Sequence, residues 1–405
     1  MKSKFKITLG WMLAVVLGYS MHASSAAYAA DCSTLPNPVY LQVGDTQLNL
    51  LKSLGRKLRD NVNNPITLVF TTSGSCSNIE AIYTDVKVSG NIQYVPSTAE
   101  DATWTTASPT IACALPVGGL LTDIANSAVF NSACTATPPP ATVKLFQGPV
   151  QAYVMVVPKA SSQNAITAEE AYFVFGFGAA GMVVPWLDEA QLFIRTVTKS
   201  TLLAWAANIS VPAAKWQGMA FDKSTEVVGA LQNSPTPEKA VGILGVEVYD
   251  KLRSTLTALA FRAFKQYAAY FPDSSSTAFD KINVRDGHYT VWSPTIWMTR
   301  VTPATGIATN LQAKYVIDIL LGLATVPALN FDAIEVEGGV GLVPDCAMKV
   351  TRSFEGGKLS LYAPAEPCGC KYDSVVATTT CAACTGTGMG TCTTGVCRHG
   401  FCEAR

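Results

Sequence analysis

The sequence predicts an α/β protein of two lobes followed by a small disulfide-rich C-terminal module. Strand-like and helical patterns alternate between residues 38 and 130, and a similar pattern returns between 243 and 330. The 405 residues exceed what one hydrophobic core usually supports, which favours two lobes. Of the 12 cysteines, most follow residue 345, where glycine and threonine also become frequent, and this shift marks the module.

The first 29 residues have the organisation of a secretory signal peptide. Three lysines precede the apolar run LGWMLAVVLG, and small residues end the segment in AYA. We therefore expect a mature chain that begins near Ala30 and is periplasmic or secreted. Cys32 does not directly follow the apolar run, so a lipid anchor is not favoured. Loss of the three lysines leaves a slightly acidic chain, which gives no indication of nucleic-acid binding.

Changes in composition and pattern divide the chain into five parts. They are a signal peptide (1–29), the first part of lobe 1 (30–148), lobe 2 (149–242), the return part of lobe 1 (243–345) and a cysteine-rich tail (346–405). Three consecutive prolines before the first lobe boundary favour an extended crossing segment. The uncharged run AYFVFGFGAAGMVVPWL (171–187) contains glycines and a proline between acidic flanks, which favours a buried segment over a membrane span.

Local patterns predict the elements in order. PVYLQVG and PITLVFTT are strand-like, and they flank TQLNLLKSLGRKLRDNV, whose leucines are spaced for an amphipathic helix. Strand, helix and strand in this order predict a parallel sheet. NIEAIYTDV follows as a helix and QAYVMVVPKA as a strand. Thr167 and Glu170 have the spacing of a capping box, and the return part contains HYTVWSPTIWMTRV as a strand and LQAKYVIDILLGLAT as a helix.

Cysteines fall into an early group of four and a late group of eight. Export and even numbers predict that each group pairs within itself as disulfides. A bridge between Cys113 and Cys134 would close and rigidify the loop between them. Zinc binding around Cys381 and Cys384 is an alternative for the tail, which export to an oxidising compartment disfavours.

The loop TTSGS places Thr72, Ser73 and Ser75 after a buried strand and ahead of a helix. Backbone N–H groups and hydroxyls converge at such a position, and the helix dipole favours an anion there. Gly74 allows close approach of a ligand to the backbone. An ordinary capped βα turn has the same composition, so this loop alone leaves both interpretations open.

A second loop of this kind, IRTVTKST, places Ser200 and Thr201 at a helix start beside Arg195 and Lys199. A lysine in the first turn opposes the helix dipole unless an anion is near. The alternative is a solvated basic face with a capping hydroxyl.

The third candidate loop, LLTDIANSAVF, contains Asp123, Asn126 and Ser127. It is either a ligand loop or a polar surface loop. One hydroxyl-rich helix start in each lobe is what an anion clamp between lobes requires, because neutral dipoles and an arginine can hold a desolvated oxyanion.

Enzymatic interpretations have little support in the residues. The mature chain contains only His288 and His399, so a Ser-His-Asp hydrolase would depend on His288, and the G-x-S-x-G elbow is absent around Ser73 and Ser75. We therefore predict no catalytic residue, no metal and no cofactor.

Several segments, in their order along the chain, resemble periplasmic phosphate-binding proteins of ABC transporters, within the type II solute-binding fold. These segments are PVYLQVGDTQLNLLKSLGRKL, LVFTTSGSCSNIEAI, ITAEEAYFVFGFG, IRTVTKSTLLAW, AVGILGVEVYD and DGHYTVW. The resemblance covers roughly residues 38 to 330. It implies a two-lobed type II periplasmic-binding-protein-like fold, a small oxyanion, phosphate first, in an interlobe cleft, and an ABC transporter permease as partner.

The resemblance also implies site residues. Two of the family's loops supply hydroxyls and amides to the anion, and here these roles fall on Thr72, Ser73, Ser75, Arg195, Ser200 and Thr201. The family's third loop ends in Ser-Asp, whose carboxylate accepts the proton of hydrogen phosphate, but this chain has Ser127-Ala128, so Asp123 is the candidate substitute. The second loop lacks the family's glycine, and the cysteine-rich tail is foreign to the transport proteins. The alternative function is therefore a secreted or surface interaction protein with a degenerate ligand site.

Overall fold

The computed structural model describes residues 30–324, 326–386 and 392–404, so the predicted signal peptide lies outside the described residues. The strands are β1 (Ala30–Asp31), β2 (Pro38–Val43), β3 (Thr67–Thr72), β4 (Asn91–Tyr94), β5 (Ile111–Ala114), β6 (Ile124–Ser127), β7 (Val143–Pro158), β8 (Ala165–Thr167), β9 (Leu192–Arg195), β10 (Met219–Phe221), β11 (Val241–Gly245), β12 (Leu256–Ala258), β13 (Ala260–Arg262), β14 (Trp292–Arg300), β15 (Val350–Thr351), β16 (Ser360–Leu361), β17 (Val396–Arg398) and β18 (Phe401–Glu403). The α-helices are α1 (Leu48–Arg59), α2 (Ser75–Tyr83), α3 (Ala168–Phe177), α4 (Ser200–Asn208), α5 (Ser224–Gln232), α6 (Val246–Tyr249), α7 (Ile282–Arg285), α8 (Leu311–Leu320), α9 (Ala333–Gly339) and α10 (Gly369–Val376).

Lobe 1 is built on a sheet of order β1-β5-β4-β3-β2-β6-β14-β7, in which β2 runs parallel to both β3 and β6. The predicted strand, helix and strand unit is confirmed, because α1 connects the parallel strands β2 and β3. Leu51, Leu54 and Leu58 of α1 are fully buried and pack with Leu41 and Phe70 of the sheet. Each such side chain stabilises the lobe by about 1.5–3 kcal/mol.

One long strand, β7, belongs to both lobes. It has 16 residues and runs antiparallel to β14, with a register shift between Pro294 and Ile296. Residues of β7 before Gly148 pack against lobe 1, whereas residues 150–157 lie in the core of lobe 2. The lobes are therefore joined by a hydrogen-bonded ladder.

Lobe 2 continues the sheet in the order β7-β11-β9-β10, and β12 also pairs with β7. The predicted return to lobe 1 at residue 243 is corrected by this pairing. Ile243, Leu256 and Tyr289 are buried in the core of lobe 2, and the chain re-enters lobe 1 with β14. The pattern of a buried strand does not reveal which sheet the strand will join, which is why the sequence misplaced this segment.

Helix α3 begins with the predicted capping box. The Thr167 hydroxyl accepts the N–H of Glu170 at 3.1 Å, and the Glu170 carboxylate accepts the N–H of Thr167 at 2.8 Å. The uncharged run 171–187 is not buried throughout, contrary to expectation. One face of α3 exposes Phe173, and the helix ends after ten residues, after which the chain continues as surface turns that expose Met182. No helix of the described residues is long and apolar enough to cross a membrane.

All described disulfides pair within the early or the late group, as predicted. The early bridges are Cys32–Cys113 and Cys76–Cys134, so no bridge between Cys113 and Cys134 closes the loop that lies between them. The late bridges are Cys346–Cys368, Cys370–Cys381, Cys384–Cys397 and Cys392–Cys402. The first early bridge fastens the N-terminus to β5, and the second fastens the start of α2.

The cysteine-rich tail is not a separate module at its start, which corrects the expectation from composition. Cys368 and Tyr372 of the tail are buried in the core of lobe 2. Asp373 of α10 forms an ion pair with Arg285, a residue of lobe 2. The glycine and cysteine content gave no sign of helix α10, whose buried face packs in the core of lobe 2.

Candidate functional site

Five loops converge where the two lobes face each other, and each follows the carboxyl end of a strand. They follow β2, β3, β6, β9 and β11, and a sixth loop, after β10, adds Asp222 and Ser224. Ligands of α/β proteins bind at the carboxyl ends of strands, so we call this convergence the interlobe site and build it loop by loop below.

The loop after β3 contacts the loop after β9 directly. Ser75 begins α2 and is 1% exposed, and its hydroxyl oxygen accepts the N–H of Ala128 at 3.1 Å. The next residue, Cys76, donates its N–H to the carbonyl oxygen of Thr198 in lobe 2 at 3.2 Å. A Cβ on Gly74 would lie 2.6 Å from the Thr198 hydroxyl, so only glycine allows this approach. The N–H of Cys76, which could bind an anion at the start of α2, is thus bonded to the Thr198 carbonyl oxygen.

Ala128 is hydrogen-bonded by one predicted hydroxyl residue, Ser75, and by a tyrosine of β7. Besides Ser75, the buried Tyr153 of β7 donates its hydroxyl to the Ala128 carbonyl oxygen. Burial raises the pKa of Tyr153, and Ser200, at the start of α4, lies beside the Tyr153 hydroxyl and lowers that pKa in part. Ser127 precedes Ala128, and its own hydroxyl donates to a backbone carbonyl two residues on at 2.6 Å. The two lobes are therefore linked here by neutral hydrogen bonds.

Arg195 ends β9, and its guanidinium is fully buried, with an acceptor for each of its three nitrogens. Its Nε donates to the carbonyl oxygen of Phe221 at 3.3 Å, and its Nη2 to that of Asp222 at 2.7 Å. Its Nη1 donates to the Ser224 hydroxyl. The second Nη2 bond crosses to lobe 1, where it reaches Oδ2 of Asp45 at 3.1 Å.

The Asp45 carboxylate is seated in a site built for an anion. Its Oδ2 also accepts the backbone N–H of Ser224 at 3.3 Å and the Ser224 hydroxyl at 3.1 Å. Ser224 is the first residue of α5, so Asp45 lies at a helix N-terminus beside the guanidinium of Arg195. Helix N–H groups, a hydroxyl and an arginine are the donors that bind carboxylates and phosphates.

Lys199 lies beside this arrangement without joining it. Its Nζ pairs with Oδ1 of Asp222 at 2.9 Å. That hydrogen bond and charge lower the pKa of Asp222. The cation that the sequence placed at the start of α4 is therefore matched by a carboxylate of its own lobe.

A buried carboxyl group, Glu247, completes the interlobe site. It is 2% exposed in α6, and neither of its oxygens has a hydrogen-bond partner among the described residues. Burial raises its pKa to about 8. Its own backbone N–H lowers the pKa in part, and the charges of Asp45 and Asp250 raise it while that of Arg195 lowers it. At pH 7 this group is mostly protonated, which limits the negative charge in the site.

Asp123 is not brought to the other predicted residues. It precedes β6, whereas Ser127 ends that strand, and four residues of a strand span about 13 Å. Its Oδ2 accepts the N–H of Tyr40 at 2.9 Å, and burial raises its pKa. Asp123 thus lies at the amino end of β6, too far from Ala128 to serve as the carboxylate that the sequence predicted there.

The remaining predicted residues lie at the border of the site. Thr72 is exposed at the end of β3, and Ser73 is half-buried with its N–H bonded to the carbonyl oxygen of Val43 at 2.8 Å. Thr201 is 1% exposed within the first turn of α4. The structure thus brings Ser75, Ser127, Arg195 and Ser200 to the interlobe site and leaves Thr72, Ser73 and Thr201 at its border.

Sequence reasoning missed Asp45, Ser224 and Glu247. A signal for Asp45 existed, because it follows β2 directly and the carboxyl ends of parallel strands share one edge. Glu247 follows a buried strand in the same way. Ser224 begins a helix after a short strand that the sequence did not indicate.

Several solved structures are similar to this chain. A putative phosphate ABC transporter substrate-binding protein with bound phosphate, from Clostridium perfringens, matches at 11% identity and a TM-score of 0.51, over 76% of this chain and 99% of that one. The chain has the fold of type II solute-binding proteins. A possible phosphate binding protein from Planctomyces limnophilus matches at 13% identity and a TM-score of 0.44, over 76% and 93% of the two chains. The reduced OxyR regulatory domain from Pseudomonas aeruginosa matches at 9% identity and 0.38, over 70% and 96%.

At these identities the likeness concerns the fold alone. No protein-family model matches the sequence, and none of the curated proteins is similar enough to it to count as a relative. What the site of this type II fold binds must be argued from its own residues.

The buried Glu247 predicts a pH-dependent stability. Its folded-state pKa of about 8 lies above that of an unfolded glutamate, about 4.3, so folding takes up a proton between these values. The stability that Glu247 contributes is present below the lower pKa and is lost as the pH rises toward the upper one. We expect Glu247→Gln to gain stability relative to the unaltered protein between about pH 5 and pH 8, measured by urea unfolding.

The exposed Glu80 of α2 offers a matched control, since Glu80→Gln makes the same chemical change at a solvent-exposed position. Its stability difference from the unaltered protein should stay constant over the same pH interval. A constant difference for Glu247→Gln as well would contradict the proposed state of Glu247.

Proposed function

We propose that this chain is an exported, non-enzymatic solute-binding protein whose interlobe site holds a small oxyanion, with phosphate as the first candidate. The observation that carries the proposal is the Asp45 carboxylate on Arg195 and the N-terminus of α5. Lobe 2 presents a guanidinium, a hydroxyl and a helix N–H, and an oxyanion supplied by lobe 1 already occupies them. A free oxyanion of similar charge would bind the same donors when Asp45 withdraws.

In this mechanism Asp45 is a competitor of the ligand. Displacement of the carboxylate leaves Arg195 and Ser224 free to bind the anion, while the mostly protonated Glu247 adds little opposing charge. At a second place the hydrogen bond from the Tyr153 hydroxyl to the Ala128 carbonyl oxygen joins the lobes, with Ser75 and Ser200 next to it. No group at Ala128 accepts a proton from hydrogen phosphate, so discrimination between phosphate and sulfate should be weak.

The proposal includes export and delivery of the ligand to an ABC transporter permease. Every cysteine of the described residues is in a disulfide, which supports an oxidising compartment. The bound phosphate of the Clostridium perfringens protein supports the choice of the first anion to test.

A second candidate function is an interaction protein whose interlobe site is permanently closed. The contact between Cys76 and Thr198 favours it, because the N-terminus of α2 donates to a carbonyl oxygen of lobe 2. In that case Asp45 is a fixed link between the lobes and no anion enters.

Titration calorimetry of the disulfide-intact mature chain with phosphate tests the first proposal. Arg195→Ala should abolish binding, because it removes both the positive charge of the site and the Nη2 donor that Asp45 now occupies. Lys199→Ala should change the affinity by less than about threefold, since Lys199 is paired with Asp222 outside the donor set. Equal losses for the two variants would contradict the assignment.

Removal of the competitor tests the role of Asp45. Asp45→Asn should raise the affinity for phosphate on the order of tenfold, because the anion no longer displaces a charged group from Arg195. Asp60, at the other end of α1, gives the control Asp60→Asn, which should leave the affinity unchanged. Failure of both the unaltered chain and Asp45→Asn to bind phosphate or sulfate would favour the interaction protein.

A further inference from the structure

A second cavity lies between the end of lobe 1 and the cysteine-rich tail, away from the interlobe site. Its volume is about 590 Å³, which is within the range of small-molecule sites. One wall comes from the segment between α8 and α9, and the opposite wall comes from Tyr362, residues 364–366 and His399 of the tail. The disulfide Cys346–Cys368 fastens that tail segment to the body. The tail therefore encloses space that lobe 1 alone would leave open.

An unpaired carboxyl group faces this cavity. Glu337 of α9 lines it and is 3% exposed, yet no hydrogen bond or ion pair of its side chain occurs within the described part of the chain. Burial of a carboxylate without a partner is costly, and a group in this position either stays protonated or receives a cation. Burial, and then the negative charges of Asp332 and Asp345, raise the pKa of Glu337 well above its usual value.

The other acids at the cavity differ from Glu337 in their partners. Asp332 pairs with Lys371 at 3.3 Å, and Glu366 pairs with Arg398. Asp345 accepts only neutral donors, from a glutamine side chain at 3.0 Å and a tyrosine hydroxyl at 2.5 Å. Two carboxyl groups, on Glu337 and Asp345, therefore lack a cationic partner at the same cavity.

The residues that line the cavity favour an organic cation over a metal ion as the ligand. Ile319, Leu323, Phe331 and Ile334 supply apolar surface beside Glu337. Within the described ranges, the only three potential metal ligands that lie within 4.8 Å of one another are disulfide-bonded cysteines of the tail. The acids of the cavity do not form a metal cluster, whereas an ammonium group on an apolar body matches both the walls and the unpaired carboxyls.

We propose that this cavity is a binding site for a small organic cation, a primary amine with an apolar body, whose ammonium group pairs with Glu337. The cysteine-rich tail supplies one wall of the site, which gives this part of the chain a role in recognition. The site is independent of the anion proposed for the interlobe site.

A series of primary amines and the matching alcohols tests the proposal on the unaltered mature chain. Butylamine, phenethylamine and tryptamine would be titrated against butanol, 2-phenylethanol and tryptophol, with calorimetry and chemical-shift perturbation as readouts. We expect at least one amine to bind on the order of tenfold or more tightly than its alcohol, because a hydrogen bond to a charged group is the difference between them. Equal affinities within every pair, or no binding by any amine, would overturn the proposal.

Two variants locate the site. Glu337→Gln should remove the preference for the amine, whereas Glu335→Gln, on the exposed side of the same helix, should retain it. Leu323 is 68% exposed and lines the cavity, so Leu323→Trp should obstruct binding without loss of the fold. Retention of the full preference in both Glu337→Gln and Leu323→Trp would place the amine elsewhere and overturn the assignment.

Discussion

The buried guanidinium of Arg195 is the constraint on which the interlobe site depends. A guanidinium that leaves water must find acceptors for its N–H groups, because the attraction of a partner has to offset desolvation. Backbone carbonyls of lobe 2 supply two of them, but the charge itself is matched by Asp45 of lobe 1. Closure of the lobes and neutralisation of Arg195 are therefore one event.

The continuous strand β7 makes this event geometrically possible. Because β7 runs without a break through both cores, its residues before and after Gly148 fix the position of one lobe relative to the other. Tyr153, on the same strand, bridges to Ala128 at the second contact between the lobes. The charged contact at Asp45 and the neutral contact at Ala128 thus join the lobes at two points beside the same ladder of strands, and the proposed anion would replace the first contact and leave the second in place.

Local sequence patterns predicted the elements well but not their partners. The leucine spacing of α1, the capping box of α3 and the strand character of β7 follow from short-range periodicity, which the chain expresses clearly. The position of Arg195 and of the hydroxyls at Ser75 and Ser200 followed from the same logic, since they begin or precede helices. Pairing of strands, disulfides and lobes depends on contacts distant in sequence, which no local pattern encodes.

Asp45 illustrates that limit most clearly. Its place after β2 is the one local signal that it carries, and its contacts with Arg195 and Ser224 arise only because β9 and α5 of the other lobe lie opposite it. Asp123 is the converse case, since its loop had a suitable composition but lies at the amino end of β6. Asp123 is predicted as a site residue because it is close to Ser127 in sequence. The direction of the strands places Asp45 at the site instead, because Asp45 follows the carboxyl end of β2.

The most direct test is a crystal structure of the mature protein at saturating phosphate. Our account predicts that phosphate oxygens replace the Asp45 carboxylate on Nη2 of Arg195 and on the N–H of Ser224, and that Asp45 moves out of hydrogen-bond distance. A structure in which Asp45 keeps both bonds, with no anion between the lobes, would contradict the account.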